Sequence, residues 1–185
     1  MLAKRALIVM PCIALLAACG TGAGVPPIVA PSPTADAAPC PVGWEGEYRG
    51  RFSEACIRSI VPWRFALPLL GARYEAPVFG LFPTDPQQYL RVQYEPVKTG
   101  EPRLLFEIFP KGFVLPYVGP EATTPAGHEV FVDMRPAQFT GGVRGAWEDA
   151  SAVYALVAEG SGSASAKRAL ILAVADSVID QRPLR

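Results

Sequence analysis

The sequence predicts an α+β fold: a small antiparallel β-sheet followed by two C-terminal helices that pack on one of its faces. The sheet is predicted from residues 89–95 and 103–109, where apolar and polar residues alternate. Such alternation is typical of half-buried strands. The helices are predicted because the spacing of apolar residues lengthens from two to three or four after residue 147, as on a helix that buries one face.

Three segments of different composition divide the chain. We expect a secretion signal over residues 1–18, a tether over 19–41 and a single globular domain over 42–185. The tether is rich in proline, alanine, glycine, threonine and serine, and Asp36 is its only charged residue. Such a segment buries too little apolar surface to order itself and favours extended conformers. A flexible pro-segment is the alternative for this stretch.

Four alternating runs are predicted to be strands: residues 44–52, 89–95, 103–109 and 128–135. The second and third runs flank a Lys-Thr-Gly-Glu-Pro turn and therefore form a hairpin. Repeated prolines restrict residues 57–87 to short strands or irregular loops. Residues 112–127 are expected to form a long loop.

Cys40 and Cys56 flank the first predicted strand. In an oxidising compartment, an isolated pair of cysteines indicates a disulfide. A straight strand would hold the two cysteines too far apart, so the bond requires a bend, for which Gly46 and Gly50 are suited. The alternative is two separate thiols, reduced or mispaired.

The C-terminal third is predicted to be helical. Apolar residues recur at helical spacing over residues 147–157, and Gly160 is placed to end this first helix. A Ser/Gly linker leads to a second helix over residues 165–180. Its basic residues lie at the positive end of the helix dipole, and the run Ala169–Ala175 also fits a buried strand.

The N-terminus has the parts of a secretion signal in the expected order. Lys4 and Arg5 form a short positive region. Residues 7–18 form an apolar run, which is shorter than the roughly 20 residues that a membrane-spanning helix needs. These features favour a signal that is removed after export. A buried N-terminal helix is the alternative.

The apolar run ends in Leu16-Ala17-Ala18-Cys19, which resembles the lipobox of bacterial lipoproteins. The resemblance implies cleavage between Ala18 and Cys19, a diacylglycerol group on the thiol of Cys19 and an acyl chain such as palmitate on its amine. It therefore implies a protein of the cell envelope whose membrane contact is this lipid. Because Gly20 is not acidic, the resemblance further implies the outer membrane, facing the periplasm, in a cell with two membranes.

The charge balance indicates which partners the protein does not suit. The chain has 17 basic and 17 acidic residues, and loss of Lys4 and Arg5 with the signal leaves it slightly acidic. This balance does not favour nucleic acid or an anionic membrane surface. No cofactor is expected, because nucleotide-binding motifs are absent. A metal site is not expected either, since His128 is the only histidine.

No residue is assigned a catalytic role. His128 has no predicted nucleophile beside it. A glycine-rich segment, residues 140–145, precedes the first predicted helix and would suit an anion cradle, with a tight turn as the alternative. A hydrolase acting on cell-wall or glycan material would need a pair of carboxylates. The candidates are otherwise explained as solvated surface charges: Glu45, Glu47, Glu54, Glu148 and Asp149.

Aromatic residues concentrate around the predicted hairpin: Phe106, Phe109, Phe113 and Tyr117, with Phe79 and Phe82 before them. We predict that the first four line a surface for an apolar ligand or a partner protein; the core of a small sheet is the alternative. The alternating Trp44-x-Gly46-x-Tyr48-x-Gly50-x-Phe52 run also resembles the opening strand of lipocalin-like lipoproteins. The expected function is therefore a non-catalytic envelope lipoprotein that binds a partner or acts as an adaptor, with the carboxylate hydrolase as the alternative.

Overall fold

The computed structural model describes residues 38–43, 46–83, 88–115, 119–134 and 142–184. All of them lie in one unit, Pro33–Arg185. The predicted secretion signal, the lipobox with Cys19 and the tether as far as residue 37 lie outside the described residues.

An eight-stranded antiparallel sheet is the framework of this unit. Its strands are β1 Tyr48–Gly50, β2 Val78–Phe82, β3 Tyr89–Tyr94, β4 Pro102–Pro110, β5 Glu121–Thr123, β6 Glu129–Asp133, β7 Val143–Glu148 and β8 Ala152–Gly160. Their order is β1-β2-β3-β4-β8-β7-β6-β5, so two four-stranded meanders meet where β4 pairs with β8. The α+β class is confirmed, and the sheet is larger than predicted. An up-and-down barrel pairs strands that are neighbours in sequence, so the β4–β8 pair departs from the topology that the lipocalin resemblance implies.

The predicted hairpin is confirmed as β3 and β4, with Val92 opposite Phe106. The predicted strand after residue 127 is confirmed as β6. The expected long loop that precedes it contains the short edge strand β5, whose Ala122 pairs with Val130.

The prediction of a first C-terminal helix over residues 147–157 is wrong. This segment forms the end of β7, a turn and most of β8. Strand β8 lies between β4 and β7 and is buried on both faces, including Val153 and Ala155 on one face and Tyr154 and Leu156 on the other. A strand buried on both faces loses its alternation, so its apolar residues also satisfied a helical spacing.

The second predicted helix is confirmed as α2, Ala164–Asp180. It begins at Ser163, whose hydroxyl accepts a hydrogen bond from the amide of Ala166 at 3.2 Å. It packs on β6, β7 and β8. The approach to β7 is close because Gly145 has no side chain, and a Cβ at this position would collide with Ile171.

A short helix that the sequence analysis missed, α1 Glu54–Ile60, follows β1. Ser53 caps it by accepting a hydrogen bond from the amide of Cys56 at 3.2 Å. Helix α1 turns the chain back, and the Cys40–Cys56 disulfide is present with the two Cα atoms 5.6 Å apart. The bend that this bond requires is achieved because β1 covers only Tyr48–Gly50 of the predicted strand.

One face of the sheet is covered by α1, α2 and the irregular segment that follows α1. This segment contributes buried side chains to the core: Val61, Phe65, Leu67 and Leu70. Its backbone is held by side chains from two other elements, since the amide of Ala66 donates to the Tyr154 hydroxyl at 3.1 Å and the amide of Leu69 donates to Ser177 Oγ at 2.9 Å. The core therefore lies between the sheet and this layer.

Candidate binding face of the sheet

The two faces of the sheet differ in what lies over them. Along β4, Leu104, Phe106 and Ile108 point into the core and are fully buried. Leu105 and Glu107 point to the opposite face and are half-buried. No helix of the described part of the chain packs on that opposite side, so we call it the open face.

A row of four aromatic side chains crosses one end of the open face. Phe82 pairs with Tyr89 across β2 and β3, and Tyr89 lies opposite Phe109 on β4. The ring centroids are 4.6 Å apart for Phe82–Tyr89 and 5.4 Å for Tyr89–Phe109, and Phe113 stacks on Phe109 at 4.3 Å. We call Phe82, Tyr89, Phe109 and Phe113 the aromatic row. Cross-strand aromatic pairs of this kind stabilise a sheet.

Arg91 joins the aromatic row to the polar part of the open face. Its guanidinium lies 5.2 Å from the ring centroid of Phe82 and 5.5 Å from that of Tyr89, which are cation–π distances. The same group pairs with Glu107 at 2.7 Å. Burial raises the pKa of Tyr89, although the charge of Arg91 opposes the rise. The Tyr89 phenol therefore stays neutral at ordinary pH.

A shallow cavity of about 260 Å³ lies beside the row on the same face, between Arg49, Gly80, Arg91 and Leu105. Gly80 lets the Phe82 ring lie close over the strand, because a Cβ there would lie 2.8 Å from that ring. The open face thus combines aromatic rings, one paired arginine and a shallow depression.

The structure separates the aromatic residues that the sequence grouped together. Phe109 and Phe113 lie in the aromatic row on the open face. Phe106 lies on the covered face, is fully buried and stacks on Trp147 and Tyr154, so it belongs to the core. Phe79 is also buried in the core. Tyr117 lies outside the described residues.

The open face contains two side chains whose importance was not evident from the sequence, Tyr89 in the aromatic row and Arg91 beside it. Both were placed in a predicted strand but not in a site. The hairpin register was the available signal: it sets Tyr89 against Phe109, and Arg91 against Glu107.

A charged cluster occupies the other end of the open face. Arg103 pairs with Glu159, which is only 4% exposed, and lies 3.7 Å from Glu95. The two carboxylates therefore both pair with Arg103, and this end of the face is a structural ion-pair network.

The candidate carboxylates of a hydrolase are dispersed over the fold. Glu54 on α1 pairs with Arg58 at 2.6 Å, and Glu148 pairs with Lys111 at 3.3 Å. Glu47 is exposed just before β1, and Glu45 lies outside the described residues. The described carboxylates among these candidates therefore do not form the facing pair that such a hydrolase needs.

Asp149 has a structural role in the turn between β7 and β8. Its Oδ1 accepts hydrogen bonds from the amides of Ser151 and Ala152 at 2.6 and 2.9 Å. Its Oδ2 accepts one from the Tyr154 hydroxyl at 2.8 Å. Burial alone would raise the pKa of Asp149, but a hydrogen bond from the Ser151 hydroxyl at 2.7 Å, together with those from the two amides and Tyr154, outweighs it and lowers the pKa.

The remaining candidates for chemistry also have structural partners. His128 Nε2 lies 2.9 Å from Asp180 Oδ1, which ties β6 to the end of α2. The glycine-rich segment leads into strand β7, so the helix start that an anion cradle would need is not there. Residues 140 and 141 of that segment lie outside the described residues.

Neither a metal site nor a membrane-spanning helix is found in the described part of the chain. Its histidine, cysteine and acidic side chains form no group of three suited to hold a metal. None of its helices is long and apolar enough to cross a membrane.

No protein-family model, curated protein or solved structure matches this chain.

Proposed function

We propose that this protein is an envelope lipoprotein, held at a membrane by lipid on Cys19, that binds a partner protein through its open face. In a cell with two membranes its place would be the outer membrane, facing the periplasm. The observation that supports the binding role is the aromatic row, which lies on the sheet face that no described helix covers.

The composition of the open face favours a protein partner over a small apolar ligand. Aromatic residues and arginine are enriched in the centres of protein interfaces, and here Arg91 lies over two rings. The cavity on this face, about 260 Å³, is smaller than the roughly 300–1,000 Å³ of most small-molecule sites. Because the rings already stack on each other, a partner would find them pre-ordered and little side-chain entropy would be lost on binding.

The anchor is tested by changing Cys19→Ser. We expect this variant to remain as an uncleaved or soluble precursor and to incorporate no labelled palmitate. The matched control is Cys12→Ser, which removes the other cysteine of the N-terminal region and should be cleaved and lipidated normally. Unchanged membrane attachment of Cys19→Ser would contradict the anchor.

The binding face is tested by purifying the lipidated protein from detergent-solubilised membranes. We expect a stoichiometric protein partner with the wild type and its loss with Phe113→Ala, which removes the last ring of the row. Val97→Ala is the control, because Val97 is 58% exposed but lies at the opposite end of the β3–β4 hairpin. A partner that survives Phe113→Ala, or no stoichiometric partner at all, would contradict binding through this face.

A further inference from the structure

A second cavity opens on the covered side of the molecule, away from the open face. Its volume is about 360 Å³, and it lies between α1, residues 67–77 and the residue that ends α2. This volume lies within the range of small-molecule sites, roughly 300–1,000 Å³. Its walls combine polar side chains with apolar ones, and the apolar ones include these: Leu67, Pro68, Leu70, Ala76 and Pro77.

One hydroxyl group at this cavity is not used in a hydrogen bond within the described part of the chain. Tyr94 is 5% exposed and lines the cavity, and among the described residues its hydroxyl makes no hydrogen bond. The neighbouring Tyr74, whose ring lies 6.4 Å from that of Tyr94, instead donates its hydroxyl proton to the carbonyl of Pro102 at 3.1 Å. Because Tyr94 lines the cavity and its hydroxyl is not held by another group of the protein, this hydroxyl is a candidate for a ligand contact.

The Tyr94 hydroxyl is available as a hydrogen-bond donor. Burial, with a smaller contribution from the negative charge of Glu54, raises the pKa of Tyr94. The phenol therefore keeps its proton throughout the ordinary pH range. A neutral buried phenol donates most readily to a carbonyl, ester or ether oxygen.

The charged groups at the rim are already paired inside the protein. Glu54 pairs with Arg58 at 2.6 Å, and Arg58 also donates to the carbonyl of Phe65 at 2.8 Å. Glu75 pairs with Arg51 at 3.0 Å. No net charge at the rim is left to attract a charged ligand, so the cavity suits a neutral one.

Two features hold the walls in place. The Cys40–Cys56 disulfide fixes α1. At the other wall Gln181 has a φ of 53°, and it is the one described non-glycine residue with a positive φ. Its side chain donates to the carbonyl of Val178 at 2.7 Å. Gln181 is the left-handed residue that ends α2, and this hydrogen bond holds it there.

We propose that this cavity binds a small, neutral, mainly apolar molecule, one of whose oxygen atoms accepts a hydrogen bond from the Tyr94 hydroxyl. The walls would take up the apolar part by the hydrophobic effect, and Tyr94 would select for the oxygen. This site does not depend on the lipid anchor or on the open face.

The test compares two probes of the same shape on the purified full-length chain. Acetophenone has a carbonyl oxygen, whereas α-methylstyrene has a CH₂ group in its place. The Kd of each probe is measured in one detergent from the amide chemical shifts of Leu67, Leu70 and Gln181. Comparing protein variants in the same detergent cancels the partition of each probe into micelles.

The variant is Tyr94→Phe, which removes only the hydroxyl. We expect the Kd of acetophenone to rise about fivefold, which corresponds to about 1 kcal/mol for one hydrogen bond, while the Kd of α-methylstyrene is unchanged. The matched control is Tyr74→Phe, which should leave both constants unchanged because that hydroxyl already has a partner. The proposal is overturned if neither probe shifts these amides. It is also overturned if Tyr94→Phe leaves the Kd of acetophenone unchanged, or if it alters the Kd of both probes equally.

Discussion

The two faces of the sheet use aromatic side chains in different ways. On the covered face, Phe106, Trp147 and Tyr154 stack in a group and are at most 3% exposed. On the open face, the rings of the aromatic row lie at least as close together, and all of them except the buried Phe109 keep part of their surface in solvent. Ring stacking alone therefore does not distinguish a core from a binding surface. What distinguishes them is whether another layer of the protein covers the rings.

This difference implies that stability and binding can be changed separately. Rings on the covered face lose all contact with water on folding, so they contribute the full free energy of apolar burial. In the aromatic row Phe109 is also buried, whereas Phe82, Tyr89 and Phe113 lose only part of their contact with water.

The strongest contrast is between Phe106→Ala and Phe113→Ala. The first creates a cavity in the core and should lower the free energy of unfolding by about 3–5 kcal/mol. The second removes a half-buried ring and should cost about 1 kcal/mol or less. Denaturation in urea measures both. Equal losses would show that the two faces contribute alike to stability.

The covalent bond that holds α1 over the covered face is tested by replacing Cys40 and Cys56 together with serine. The two residues are separated by 16 positions, and a loop of this size corresponds to about 3 kcal/mol of stabilisation. A reducing agent should lower the urea midpoint of the wild type and leave that of the double variant unchanged. If the reducing agent left the urea midpoint of the wild type unchanged, the bond would not stabilise the fold.

Two glycines, one on each face, provide a matched pair. Gly145→Ala would force Ile171 of α2 away from β7 and should cost about 1–3 kcal/mol, as overpacking of a core does. Gly80→Ala on the open face meets only the outer edge of the Phe82 ring, which can swing towards solvent, so it should cost less. Thermal unfolding of both variants gives the ranking. A larger loss for Gly80→Ala would contradict it.

The smallest effect concerns Asp149, whose hydrogen bonds hold Tyr154 of the covered face. The pKa of this carboxyl is lower in the folded chain than in the unfolded chain. Its contribution is therefore present above about pH 4 and is lost as the pH falls through the folded-state pKa. The difference in unfolding free energy between the wild type and Asp149→Asn should shrink between pH 5 and pH 2. A difference that is constant with pH would show that the carboxylate charge is not responsible.

The elements that could be predicted from the sequence are those with one face buried in the core and the other in contact with solvent. Strands β3 and β4 alternate because only one of their faces is fully buried. Helix α2 was recognised because its apolar pattern persists over several turns. The disulfide followed from cysteine counting, although only the structure shows that α1 turns the chain back to close it.

The parts that could not be predicted depend on contacts distant in sequence. Strand β8 was taken for a helix because both of its faces are buried, one by the core and the other partly by Phe109 and its neighbours. Helix α1 was missed because it spans only 7 residues and has little beyond its Ser53 cap to indicate it.

The candidate surface was predicted only in part, although the spacing of two of the aromatic residues already separates them. Phe106 and Phe109 are three positions apart, so a strand must place them on opposite faces. Grouping them by proximity alone merged a core residue with a surface residue. The cavity at Tyr94 had no comparable signal, because its walls come from segments that meet only in the folded chain.

The Cys40–Cys56 bond also determines how the domain would bear a mechanical load. Tension applied to the N-terminal end of the chain reaches Cys40 and passes through the disulfide to Cys56, so the stretch between them, including the edge strand β1, carries none of it. Peeling of β1 from β2, the easiest way to unzip a sheet from its edge, is thereby prevented while the bond is intact. The load enters instead at α1, which is packed into the core through Ile57. Tension on the N-terminal side would therefore pass to this helix and not along β1.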